Sequence, residues 1–91
     1  MVSLQKACEI VLAERPEKRI VSVSEYEDEY AICLINKNEV MNGMGCIAFC
    51  DVVAKSDGKL RKDVFMCEDE FDRDSKIHSE KEIENLMKVA S

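Results

Sequence analysis

Six consecutive apolar residues, Tyr30-Ala31-Ile32-Cys33-Leu34-Ile35, lie between an acidic turn and the polar stretch Asn36-Lys37-Asn38. A short run without alternation reads as a central strand covered on both faces, or as a slightly irregular one. Its backbone needs strands on either side, and its side chains need covering layers.

The flanking segments supply both. Arg19 to Glu25 alternates around Val21 and Val23, the pattern of a half-buried strand. Cys46 to Lys55 reads as the longest strand, and Leu60 to Met66 returns beside it after Ser56-Asp57-Gly58-Lys59. Asp-Gly between apolar runs is a strong short-range hairpin signal. If it is a two-residue loop, Val53 faces Lys62, and Leu60, Val64 and Met66 share a face with Ile47, Phe49 and Val53. Val40 to Gly45 holds two of the three glycines and reads as a loop or bulged crossing.

Helices are expected at the two ends. Leu4, Ala7, Cys8 and Val11 fall on one helical face, Ser3 can cap the first turn, and Pro16 should stop the helix near Glu14. Ser79 and Glu82 form a capping box ahead of a second stripe, Ile83, Leu86, Met87 and Ala90. The expected fold is α+β over residues 1–91 as one domain. An N-terminal helix packs on a four-stranded antiparallel meander sheet, and a C-terminal helix follows.

Composition narrows function mainly by exclusion. Nineteen acidic residues against 13 basic ones give a net charge of −6, which argues against direct nucleic-acid binding. No apolar stretch is long enough to cross a membrane, and no export signal is visible, so a cytoplasmic location is expected. The five cysteines, Cys8, Cys33, Cys46, Cys50 and Cys67, lie among apolar neighbours and read as reduced core residues. No Cys-x-x-Cys pair exists and the only histidine is His78, so no metal or cofactor is expected. With no phosphate-binding loop, nucleophile elbow or paired-histidine motif, the chain reads as a non-enzyme, and His78 as a surface residue in a charged loop.

Two acidic clusters carry the functional expectation. Glu25, Tyr26, Glu27, Asp28 and Glu29 form one; Glu68, Asp69, Glu70, Phe71 and Asp72 form the other. On one side of the molecule they would make a negative patch for a basic protein partner, with Tyr26 and Phe71 as anchors. As separate turns they would only be solvated. Asp51, the one charged residue between Val40 and Ala54, is expected on the solvent side through a bulge, ahead of a buried role facing a partner. Lys55, Lys59, Arg61 and Lys62 read as solvated decoration of the hairpin. Two alternatives are a homodimer or other structural module built on an edge strand, and a small-ligand sensor. The latter would use a pocket lined by Met41, Met44, Met66 and Met87.

The order of parts also resembles the PepSY-like modules and one class of polymorphic-toxin immunity proteins, the class numbered thirty-five. The resemblance is carried by the helix Leu4-Gln5-Lys6-Ala7-Cys8-Glu9-Ile10-Val11, the strand Tyr30 to Ile35 and the tip Ser56-Asp57-Gly58-Lys59. It spans roughly residues 4–66; the chain lacks that class's tryptophan motif. What it implies is an inhibitor that neutralises a toxin by binding it. A phage-type inhibitor of a nucleic-acid enzyme belongs to the same expectation.

Overall fold

The computed structural model describes residues 1–38, 49–65 and 75–90. The fold is α+β: helix α1 (Leu4–Glu14), strands β1 (Lys18–Glu25), β2 (Glu29–Asn36), β3 (Phe49–Ala54), β4 (Leu60–Phe65) and β5 (Lys76–Ser79), then helix α2 (Glu80–Ala90). The sheet is antiparallel throughout, in the order β4-β3-β2-β1-β5. The first four strands are the expected meander. A fifth strand, β5, adds to the outer side of β1, where Ser22 pairs with Ser79 and Glu25 with Lys76.

Both helix ends follow their sequence signals. The Ser3 hydroxyl accepts from the Lys6 amide at 3.1 Å, satisfying a donor that the first turn leaves open. The last turn closes as the Arg15 amide donates to Val11 O, just before Pro16. At the other end Ser79 accepts from the Glu82 amide at 3.2 Å. Glu80 and Glu82 in the first turn of α2 and Lys88 in its last both complement the helix dipole.

The central strand is buried on both faces. Tyr30 and Ile32 join Ala7, Cys8, Val11, Ile20, Val23, Val53 and Ile83 in the cluster under the helices. Ala31 and Cys33 join Val21, Tyr26, Cys50 and Val52 on the opposite face. Two irregularities set which residues reach which face. In β1 the pairing with β2 shifts between Ile20 and Ser22, so Ser22 stands opposite Cys33. In β4 the pairing with β3 shifts between Val64 and Arg61, where Lys62 and Asp63 together oppose Asp51, and Asp63 takes φ 53°.

The hairpin differs from the expected one in its loop length and, beyond the β4 bulge, in its faces. Val53 pairs with Leu60, not Lys62. The loop has four residues, Lys55 to Gly58, closed by Gly58 N donating to Ala54 O at 2.9 Å, and Asp57 accepts from the Lys59 amide at 2.9 Å. Leu60 lies on the helix side with Val53, whereas Val64 packs on the opposite side with Cys50 and Val52. The parts of the expected strands at Cys46, Ile47 and Met66 lie outside the described residues.

The hairpin tip also touches the N-terminal segment. Gly58 has φ +74°, and a Cβ there would sit 3.2 Å from Val2 Cγ2. Gly58→Ala therefore combines left-handed backbone strain with crowding, and should cost about 1–2 kcal/mol of stability in urea unfolding. An unchanged midpoint would show that the tip can move off Val2.

Among the described residues both sheet edges carry features that oppose edge-to-edge pairing. β4 is bulged and bears Arg61, Lys62 and Asp63; β5 is four residues long and includes Lys76.

Candidate functional site

The first acidic cluster does not act as one exposed patch. The β1–β2 turn is closed by Tyr26 N donating to Glu29 O at 2.8 Å, which leaves Glu27 and Asp28 exposed at its tip. Tyr26 is buried in the sheet face opposite the helices, at 2 % exposure, and so is not presented as an anchor. Glu29 accepts from Arg61 at 2.6 Å. Glu25 points the other way, into a polar network under the helices. Glu68, Asp69, Glu70, Phe71 and Asp72 lie outside the described residues.

That network joins four elements. Lys55 Nζ donates to Glu25 Oε2 at 2.9 Å and stands 4.9 Å over the Tyr30 ring, while its main chain bridges Val2 and Asp28. His78 Nε2 lies 2.8 Å from Glu25 Oε1, and Nδ1 meets Glu82. Far from being loop surface, His78 is a strand residue at 4 % exposure, and Lys55 is buried as well, so neither fits the solvated role expected of it. The hydrogen bonds from Lys55, and then from His78, hold the Glu25 carboxyl below its ordinary range. Burial pushes the Tyr30 phenol upward.

Asp51 is likewise buried, at 2 % exposure, rather than turned outward. Its Oδ2 accepts from Arg15 Nε at 3.1 Å, and its Oδ1 from the Asp63 amide at 3.1 Å. The same guanidinium reaches Asp63 Oδ1 at 3.1 Å. One carboxylate thus ties the end of α1 to the bulge in β4. These partners, Asp51 first, raise the already high Arg15 pKa.

Among the described residues every buried side-chain nitrogen or oxygen has a partner, and no three His, Cys, Asp or Glu residues form a metal-holding group. The polar networks are internally satisfied, which fits load carried within the fold. No described helix is long and apolar enough to cross a membrane.

A concave feature lies elsewhere among the described residues. A groove of about 660 Å³ opens between the C-terminal half of α1, the start of β1 and α2. Leu12, Ile20, Ile83 and Met87 make its apolar wall. Lys18, Arg19, Lys37 and Lys88 stand at its rim against Glu80 and Glu84, and Arg19 pairs with Glu80. The volume lies within the range of small-molecule sites, and the rim is net positive on a chain of net charge −6. Of the four methionines expected to line a pocket, Met87 does so; Met41, Met44 and Met66 lie outside the described residues. Lys18, Arg19 and Lys37 carried no functional expectation from sequence; the β1–β2 pairing brings them together, with Lys18 opposite Asn36, and the return of α2 makes them the edge of a groove.

No protein-family model matches the chain, and neither does any curated protein or solved structure. The resemblance to PepSY-like and immunity proteins therefore rests on the residues quoted for it.

Proposed function

We propose that this protein is a non-catalytic binding module whose α1–β1–α2 groove takes a small amphipathic carboxylate, an aliphatic chain with an anionic end. The groove itself carries the reading: an apolar wall of ligand-sized volume, edged by four cations against two carboxylates. Leu12, Ile20, Ile83 and Met87 would remove the aliphatic chain from water, contributing about 25 cal/mol per Å² of apolar surface covered. Lys18 and Lys37 would meet the carboxylate at the mouth, where charge selects the ligand more than it tightens binding.

Octanoate, octanol and octylamine share a chain length and differ in head group. Titrated into methyl-labelled protein and followed by NMR, octanoate should shift the Leu12, Ile20, Ile83 and Met87 methyls at lower concentration than the other two. Met87→Glu should abolish the shifts, and Lys18→Glu with Lys37→Glu should erase the preference for octanoate. Equal response to all three ligands, or shifts confined to other methyls, would dismiss the proposal.

A second reading draws on the net charge of −6 and the exposure of Glu27 and Asp28. Here the chain is an acidic inhibitor of a basic protein partner, as the immunity-protein resemblance implies. The joint reversal Glu27→Lys and Asp28→Lys should then release a basic partner that binds at low salt and leaves at high salt. Retention of that partner by the reversed protein would rule out a role for this turn.

A further inference from the structure

A row of small polarizable side chains crosses three strands on the sheet face away from the helices. The register shift in β1 places Ser22 opposite Cys33. The β2–β3 register pairs Ala31 with Val52 and Ile32 with Asp51, and Cys33 and Cys50 are the next residue along each strand. The two sulfurs are 3.1 Å apart. Directly opposed residues on antiparallel strands have Cα atoms about 4.5–5.5 Å apart, inside the span that a disulfide bridges without moving the backbone. Neither thiol belongs to the polar networks or to the groove described above.

We propose that Cys33 and Cys50 form an oxidation site, which a hydroperoxide converts into a disulfide joining the two neighbouring strands. Cys33 is the attacking thiol. It is the more exposed of the pair, at 9 % against 3 %. The contact with Cys50, and then the Ser22 hydroxyl, favour ionisation of the Cys33 thiol and lower its pKa, while that of Cys50 rises. Cys8 provides the contrast within the same fold: it is fully buried, and burial followed by the charge of Glu9 pushes it up to about 11.

The chemistry balances in two steps. The Cys33 thiolate attacks the outer oxygen of hydrogen peroxide; an S–O bond forms, the O–O bond breaks, and hydroxide leaves. Cys33 is now a sulfenic acid, oxidised by two electrons. The Cys50 sulfur then attacks the Cys33 sulfur, the S–O bond breaks, and the departing hydroxide takes the Cys50 proton to form water. Overall, two thiols and one peroxide yield one disulfide and two waters. Closing the sulfurs from 3.1 Å to a covalent length of about 2 Å requires side-chain rotation rather than a change of register.

The sequence itself supplies the assay. Trypsin cleaves after Arg19, Lys37 and Lys55, placing Cys33 in peptide 20–37 and Cys46 with Cys50 in peptide 38–55. Reduced protein treated with hydrogen peroxide should lose about 2 Da and yield these peptides cross-linked. The link should persist in Cys46→Ser and in Cys67→Ser, and vanish in Cys50→Ser. Ser22→Ala should slow disulfide formation severalfold at pH 7, with the difference disappearing near pH 10, where Cys33 is ionised in both proteins. A fold-wide effect of that substitution would not vanish with pH. A link that moves to Cys46 or Cys67, oxidation that occurs only in denaturant, or no cross-link at all would each overturn the proposal.

Discussion

Replacing Asp51 with alanine is expected to remove about 3 kcal/mol of folding stability, a large part of the roughly 5–15 kcal/mol typical of a domain. The carboxylate is 2 % exposed and serves two donors in different elements. Its loss removes the buried partner of the Arg15 guanidinium, whose side chain is only 18 % exposed, and leaves that charge facing the solvent-exposed Asp63 carboxylate. It also leaves the Asp63 amide without its acceptor inside a bulge already at φ 53°. An unpaired buried donor carries its full desolvation cost, and a half-buried guanidinium held by one exposed carboxylate has lost its charge-assisted bonds to a buried one. Asp51→Asn retains an oxygen for the Asp63 amide but sets an NH2 donor against Arg15 in place of the second oxygen, so it should recover only the part of the loss that belongs to the bulge. Urea midpoints for the two variants test the account directly. Equal midpoints for both and the parent would mean that the carboxylate does not hold the helix end to the bulge.

Glu25→Ala should cost about 2–3 kcal/mol, because it removes one acceptor from two enclosed partners. The Lys55 side chain is 11 % exposed and that of His78 is 5 % exposed, and both meet Glu25. His78 retains Glu82, and the Glu25 side chain is 28 % exposed against 3 % for Asp51, which keeps the loss below that of Asp51→Ala. The same contact predicts a pH dependence. The native carboxyl binds its proton less readily than the unfolded one, so its contribution is fully present above the ordinary glutamate range. It is lost as pH falls through the lowered native value. The stability difference between parent and Glu25→Ala should accordingly shrink in acid and stay constant at neutral pH. A variant that melts like the parent, yet fails to bind a partner, would return Glu25 to the interaction role suggested by its acidic neighbours.

That contrast shows where sequence was legible. Helix α1 could be read closely because its signals are local: Ser3 caps it, Pro16 follows it, and its apolar stripe lies between them. The two-sided burial of β2 was equally visible, since Tyr30 to Cys33 are all apolar and all buried. Strand β5 gave no comparable signal. It is four residues long, and its one large apolar residue, Ile77, is 61 % exposed while His78 is buried, an inversion of the usual pattern. His78 is buried because Glu25 meets it from another strand, a fact absent from its own neighbourhood. Likewise, Asp57-Gly58 correctly marked a hairpin but not its length, and the bulge opposite Asp51 reversed the faces assigned to Val64. The groove was still less accessible, since its rim combines residues near positions 18, 37 and 88.

The position of β5 has a consequence for how the chain folds and opens. Strands β1 to β4 each pair with a sequence neighbour, whereas β5 must cross back to β1, joining Ser79 to Ser22 and Lys76 to Glu25. Closing so long a loop costs entropy before its contacts form, so the C-terminal strand and helix should dock after the meander has assembled. The last part to arrive can also be the first to detach. Amide hydrogen exchange in β5 and α2 should therefore run ahead of exchange in β2, with the meander still folded. Because α2 forms one wall of the groove, an occupant would be gripped by the least durable part of the molecule, and its departure rate would be set by the opening of that wall.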